Sequence, residues 1–143
     1  MEGPDVSNIT IKDTPNGLFF KGKWDILMPY FRNITINPTG IWDLNSLFFE
    51  NHNYTDLSYI TFKMNCNMNY FGGLETVFCN CSRLTAMPNF DWSSTSADAP
   101  SSGFKVDSIF TNCNNLRTIP DTFFSDIPLS DSYTANIRGT SMF

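Results

Sequence analysis

Charge is scarce in this sequence and histidine almost missing. Of 143 residues only 16% are charged, nine of them Lys or Arg, the net charge is −5, and the one histidine is His52. The basic residues are scattered, so no stripe could release counterions from a phosphate backbone, which excludes nucleic acid as a partner. No run of about 18 apolar residues occurs, and no membrane span is expected. Residues 1–13 have neither the basic start nor the apolar stretch of a secretory signal. The expected location is therefore a virion, or a cell surface or extracellular space reached through an export signal that is not in this sequence. G-x-S-x-G, P-loop and G-x-G-x-x-G motifs are absent. Cys79 with His52 as base is a conceivable nucleophilic pair, but a structural role explains both at lower cost. No carboxylate pair stands out for glycoside chemistry. Asn-x-Ser/Thr occurs at Asn8, Asn33, Asn53 and Asn80, close to chance in a chain so rich in these residues. The expectation is no enzyme and no cofactor.

What is present is bulk and repetition. Hydrophobic residues make up 41% of the chain, with fourteen phenylalanines, enough for a single folded domain. The stretch VDSIFTNCNNLRTIP (residues 106–120) restates TVFCNCSRLTAMP (residues 76–88). Ile109 falls on Val77, Phe110 on Phe78, Cys113 on Cys81, Leu116 on Leu84, Ile119 on Met87 and Pro120 on Pro88. A third copy places Leu47, Phe48, Asn51, Tyr54, Leu57 and Ser58 in the same slots, and Ser141, Met142 and Phe143 begin a fourth. The anchor phenylalanines Phe48, Phe78, Phe110 and Phe143 are 30, 32 and 33 residues apart. Such a period marks a solenoid, in which each repeat buries its apolar side against its neighbours.

Within a copy, Val106, Ile109, Phe110 and Cys113 are spaced i, i+3, i+4, i+7, which predicts a helix of about two turns. Leu74, Val77, Phe78 and Cys81 repeat that face. Leu-x-x-Ile/Met-Pro reads as a short strand closed by its proline. A polar return follows. Stacked copies would then pair their strands into a narrow parallel sheet. Since the fourth copy stops at its anchor, its end is expected to be covered by further repeats beyond Phe143 or by another subunit.

Residues 1–41 read as an N-terminal capping segment and residues 42–143 as the repeat domain. In the former, residues 6–12 predict a strand with Ile9 and Ile11 on one face, followed by turn chemistry at residues 14–17. Residues 18–21 could return as a hairpin. Alternatively, residues 17–31 lie without a gap on residues 76–90, a degenerate repeat with Gly22 in the Cys slot and Asp25 in the Leu slot. Residues 34–37 predict another strand, and residues 65–73 a polar bend. Residues 91–103 form a loop that either only connects or carries Trp92 forward for recognition.

Cys81 and Cys113 share a repeat slot, so they are expected to stack as buried, reduced thiols, small hydrophobes that also bond to backbone. Cys79 could bridge to Cys66 in an oxidising compartment or remain free. A zinc site is not expected, for want of a second close pair and of histidines.

SIFTNCNNLRTIP, VFCNCSRLTAMP and the final TSMF resemble the MF-x-x-C-x-x-L repeats of BspA-like leucine-rich-repeat proteins, found in Bacteroidetes surface proteins and their phages. The resemblance covers residues 44–143. It implies a right-handed leucine-rich-repeat-like solenoid of short parallel strands, short helices and long return loops, used in adhesion or ligand recognition. The copies here are longer than those of the family, and one has Asn51 for Cys and Ser58 for Pro.

If the strand follows the Leu slot, Asp56, Ala86 and Thr118 form one outward column. Ser58, Pro88 and Pro120 form a second, with Tyr59, Asn89 and Asp121 at its margin. These small and acidic groups suit a protein or glycan ligand. The expected function is a non-catalytic recognition or adhesion module. The alternative is a phage virion component, a tail, fibre or capsid-decorating subunit, whose repeats serve assembly or host attachment.

Overall fold

The computed structural model describes residues 6–12, 25–37, 45–48, 50–65, 73–95, 107–120 and 123. Four short strands, β1 (Asn8–Ile11), β2 (Asn33–Ile36), β3 (Thr61–Met64) and β4 (Asn89–Asp91), pair in chain order into one open sheet, all parallel. Their register aligns Ile9, Ile34, Phe62 and Phe90 in one row and Ile11, Ile36 and Met64 in another. From β2 onward these rows lie in or against the core. The intervening rows are polar: Asn8, Asn33, Thr61 and Asn89, then Thr10, Thr35, Lys63 and Asp91. Alternation with period two therefore gives the sheet one apolar and one polar face.

The two strands predicted in the N-terminal segment are β1 and, one residue earlier than expected, β2. β1 pairs with β2 in parallel. The predicted turn at residues 14–17 and the return at residues 18–21 lie outside the described residues. The proline slot behaves differently from the prediction. The stretch before Pro88 carries only isolated bridges, Asp56 to Ala86 and Ala86 to Thr118, and the strand proper begins after it, at Asn89. Proline has no N–H to give, so it precedes the ladder, which opens with Asn89 N–H on the Ile60 carbonyl at 2.9 Å.

The predicted helices are not formed; among the described residues helix is nearly absent, and Met28–Tyr30 is a 3-10 turn. The apolar spacing is real but a different backbone carries it. Val77, Cys79 and Cys81 each bond to the carbonyl three residues back, at 3.3, 3.1 and 3.0 Å. The alternate N–H groups leave the copy. Thr76, Phe78 and Asn80 donate to the carbonyls of Asp107, Ile109 and Thr111 at 3.0, 3.0 and 2.8 Å. Ser46, Phe48 and Glu50 donate likewise to Glu75, Val77 and Cys79 at 3.0, 2.8 and 3.0 Å.

This tandem of turns needs a left-handed residue at every fourth position. Ser46, Glu50, Thr76, Asn80, Ser108 and Asn112 have φ between 54° and 62°. For a residue with a Cβ that geometry costs about 1–2 kcal/mol, and a β-branched threonine is an outlier there. The three hydrogen bonds made between each pair of copies offset the cost. The left-handed residues also pair sideways, Ser46 Oγ with Thr76 Oγ1 at 2.8 Å, and Asn112 Nδ2 donating to Asn80 Oδ1 at 2.7 Å.

Between the turn stack and the sheet runs a core of two aromatic columns. Phe48, Phe78 and Phe110 stack with centroids 5.5 and 5.9 Å apart and planes within 10°. Phe62 and Phe90 stack at 5.2 Å, and Phe123 extends that column edge-on at 5.4 Å. The columns meet as edge contacts, Phe48 on Phe62 at 6.0 Å and Phe78 on Phe90 at 6.4 Å, the geometry that ring quadrupoles favour. The cysteine slot lines the same core. Cys81 Sγ donates to the Phe48 carbonyl at 3.0 Å, and Cys113 Sγ to the Phe78 carbonyl at 2.9 Å.

The polar misfits in the Leu slot are partners. Asp25 falls on Tyr54 in the degenerate-repeat alignment, and the Tyr54 hydroxyl donates to Asp25 Oδ1 while Asn53 Nδ2 donates to Oδ2. The same alignment places Met28 on Met87, and both are buried. Beyond that the register breaks, since Ile34, not Phe31, stands across from Phe62 and Phe90. Tyr54→Phe is expected to cost about 1.5–3 kcal/mol, because a partly buried carboxylate loses a donor. Leucine at both Asp25 and Tyr54 should restore most of that loss by rebuilding the apolar slot. Urea denaturation of Tyr54→Phe and of the double-leucine variant measures this, and a double variant no more stable than Tyr54→Phe would refute the shared slot.

Candidate functional site

The face opposite the core is where side chains are free to meet a partner. Asp56, Ala86 and Thr118 are in register through their parallel bridges, with Leu57 N–H on the Ala86 carbonyl at 2.9 Å. Asp56, Thr118, Ser58 and Asn89 are exposed and Ala86 is half-buried. Ser58 donates twice to Asp56 Oδ1, from its N–H at 2.8 Å and from Oγ at 2.6 Å. Those bonds, the side-chain one foremost, hold the carboxyl of Asp56 below its ordinary range and fix its direction. Asn89 Nδ2 donates to the Ser58 carbonyl at 3.0 Å, tying the third candidate to the first two. Pro88, read as outward in sequence, is buried, because the chain turns inward where β4 begins. Asp121 lies outside the described residues.

Tyr59 stands at this margin, and the structure adds neighbours that the sequence did not single out. The Arg32 guanidinium lies 5.0 Å from the centroid of the Tyr59 ring. Its Nη1 donates to the Pro29 and Phe31 carbonyls, both at 2.7 Å, and the Tyr59 hydroxyl donates to the Met28 carbonyl at 3.2 Å. Partial burial raises the Tyr59 phenol above its ordinary value; Arg32 opposes the shift and Asp56 adds to it. Ile26, Tyr30 and Tyr59 are 87, 62 and 38% exposed, the large exposed hydrophobics among the described residues. Tyr30 carries little sequence signal: it follows Pro29 in a segment whose repeat register is broken, so no slot foretells its exposure.

Trp92 does not go forward. It is 4% exposed and stacks on Phe90 at 6.2 Å. Two residues beyond an inward Phe, it keeps the inward parity of β4. The loop after residue 95 lies outside the described residues.

Cys79, Cys81 and Cys113 carry free thiols, and Cys66 is outside the described residues. Among the described residues no three His, Cys, Asp or Glu side chains gather as a metal site. His52 Nδ1 lies 3.1 Å from Ser82 Oγ at the surface. A hollow of about 370 Å³ is lined by Phe110, Cys113, Leu116 and Ile119 among others, which are the slots of the last described copy. Among the described residues no helix is long and apolar enough to cross a membrane.

Comparison with known proteins gives no match, whether to a family model, to a curated protein or to a solved structure.

Proposed function

We propose that this chain is a leucine-rich-repeat-like, right-handed solenoid with a capped N-terminal end, and that it is a non-catalytic recognition or adhesion module at a cell surface or on a virion. The observation that carries the reading is the polar row Asp56, Ala86 and Thr118, held in register by parallel bridges 30 and 32 residues apart. It is flanked by Ser58, Tyr59 and Asn89 and backed by stacked phenylalanines. Repetition fixes these side chains before any ligand arrives, so the ordering cost of binding is already met by folding. Their chemistry, a carboxylate, hydroxyls and an amide without a basic patch, suits hydroxyl- and amide-rich surfaces of glycans or proteins.

The test is a triple variant, Asp56→Ala, Asn89→Ala and Thr118→Ala, whose exposed side chains support no core. It should melt within a few degrees of the parent and lose adhesion to intact bacterial cells and to arrayed glycans and proteins. Unchanged adhesion would remove this face from the mechanism. A symmetric trimer in sedimentation, together with no adhesion by the parent, would favour a virion assembly role instead.

A further inference from the structure

We infer that the outer edge of β1 pairs antiparallel with the same edge of a second copy of this chain, centred on Thr10. The Ser7 and Ile11 carbonyls accept from the Asn33 and Asn37 N–H groups, both at 2.9 Å. Backbone groups alternate in direction along a strand, so Asn8, Thr10 and Lys12 turn theirs away from β2. Among the described residues no backbone group bonds to them, and β1 ends the sheet. All three residues are exposed. Ile34 and Ile36 of β2 are 0 and 1% exposed, whereas Ile9 and Ile11 in the same rows are only half-buried against the core. An open ladder beside half-covered isoleucines is a template for one more strand. Residues 8–12 contain no proline or inward charge that would blunt it. Residues 1–41 read as a cap, and a second copy closes the ladder that this cap leaves open.

The strand's own sequence selects the occupant. β1 and β2 are the same tetrapeptide, Asn-Ile-Thr-Ile, paired residue for residue, so this sequence already fits a copy of itself. Residues 8–12 are also symmetric in character about Thr10: Ile9 and Ile11 flank it, then the polar Asn8 and Lys12. A two-fold axis through Thr10, perpendicular to the sheet, therefore sets Thr10 against Thr10. The same axis sets Ile9 against the second copy's Ile11, and Asn8 against its Lys12. The threonine pair and the Asn8–Lys12 pairs would each exchange both backbone hydrogen bonds, and the isoleucines would meet in the closer pairs between them. Such self-complementarity is what an isologous interface requires. Charge and pleat fix the direction. A two-fold along the strand would bring Lys12 beside Lys12 and turn one sheet over, apolar face beside polar. The antiparallel arrangement does neither and carries the isoleucine rows on into the second copy.

Sedimentation of the parent and of Thr10→Pro over a dilution series tests this. One pair of short strands is a small interface, so a reversible dimer is expected that forms by about 1 mM and dissociates on dilution. Proline is tolerated on an edge strand whose N–H faces solvent, so Thr10→Pro should keep the parent's circular dichroism and stay monomeric throughout. Thr10→Cys gives a second reading. Residues that exchange hydrogen bonds across antiparallel strands have Cα atoms about 5.5 Å apart, within disulfide reach. Oxidised glutathione should link the two substituted positions to each other, which peptide mapping identifies. A parent still monomeric at about 1 mM overturns the inference, as does a dimer or trimer that folded Thr10→Pro continues to form. If Thr10→Pro does not fold, the link decides alone: its formation upholds the pairing, and its absence overturns it.

Discussion

Phe78→Ala is expected to lower the free energy of unfolding by about 4 kcal/mol, near the upper part of the range for a buried phenylalanine. Phe78 is fully buried between two parallel rings, 5.5 Å from Phe48 and 5.9 Å from Phe110, with Phe90 edge-on. Truncation removes contacts on three sides. The walls cannot close over the cavity, because the backbone at Phe78 is pinned: its N–H bonds to the Ile109 carbonyl, and its carbonyl accepts from Cys81 and from the Cys113 thiol. Phe110→Ala, at a ring stacked on Phe78 and tilted against Phe123, is expected to cost about 3–5 kcal/mol. Urea titrations of both variants at neutral pH measure the losses. A loss below about 1 kcal/mol for Phe78→Ala would mean that the column of phenylalanines does not hold the copies together.

That column was legible before any coordinates, and so was its spacing. The 30- and 32-residue steps reappear as bridges Asp56–Ala86–Thr118, and the bonds joining Phe48 to Val77 and Phe78 to Ile109 span one residue less in each step. What the sequence concealed was the backbone that carries the spacing. Apolar residues at i, i+3, i+4 and i+7 serve a two-turn helix and a run of tandem turns alike. The discriminating signal lay in the polar residues: Ser46, Thr76 and Ser108 two before each anchor, and Glu50, Asn80 and Asn112 two after. All six are left-handed. Asn tolerates that conformation, but Thr and Glu do not advertise it, and the partner carbonyls are a whole repeat away.

The sheet was hidden by register. From Pro88 to Asn89 is one step, yet the matching Ser58 and Thr61 are separated by Tyr59 and Ile60, so the 30-residue offset of the bridges becomes 28 in the strands. Reading the repeat at one fixed offset therefore placed the strand too early and missed β3 and β4. The same two-residue insertion turns Tyr59 outward toward Arg32. The outward row at Asp56 needed only parity to find. The contact of Arg32 with Tyr59 needed three-dimensional proximity, for no periodic rule links residue 32 to residue 59. Trp92 was misread for the opposite reason: its polar surroundings suggested a loop, while its parity with Phe90 put it in the core.

The cysteines give the second large effect, and it appears only in alkali. Burial, with smaller help from neighbouring Cys113, pushes the Cys81 thiol up to about 12, although the Asn51 N–H pulls the other way. Burial likewise pushes Cys113 up to about 11. The geometry explains why the neutral form is kept: each thiol donates to a phenylalanine carbonyl, and a thiolate there would set two negative atoms about 3 Å apart. In the unfolded chain both groups ionise near pH 8.5. Below that pH both states hold their protons, and the contribution of the thiols to stability is complete. Above it the unfolded state releases protons first, so stability falls as pH rises and continues to fall until the folded values are passed. Cys81 alone should remove about 3 kcal/mol by pH ~10.5 and about 4 kcal/mol by pH ~12, with a smaller share from the more open Cys113. The raised phenol of Tyr54, shifted by burial and then by Asp25, acts in the same direction from about pH 10. Cys81→Ala separates them. Near pH 7 the variant should be the less stable by about 1–2 kcal/mol, through the lost packing and the unpaired Phe48 carbonyl. Toward pH ~10.5 that gap should close or reverse, because the variant no longer carries the penalty of ionising a buried thiol. Denaturant titrations of both proteins across that range, in reductant, decide it. A gap that stays constant with pH would show that the Cys81 thiol ionises as easily in the folded protein as in the unfolded one, and that the thiol–carbonyl contact does not form.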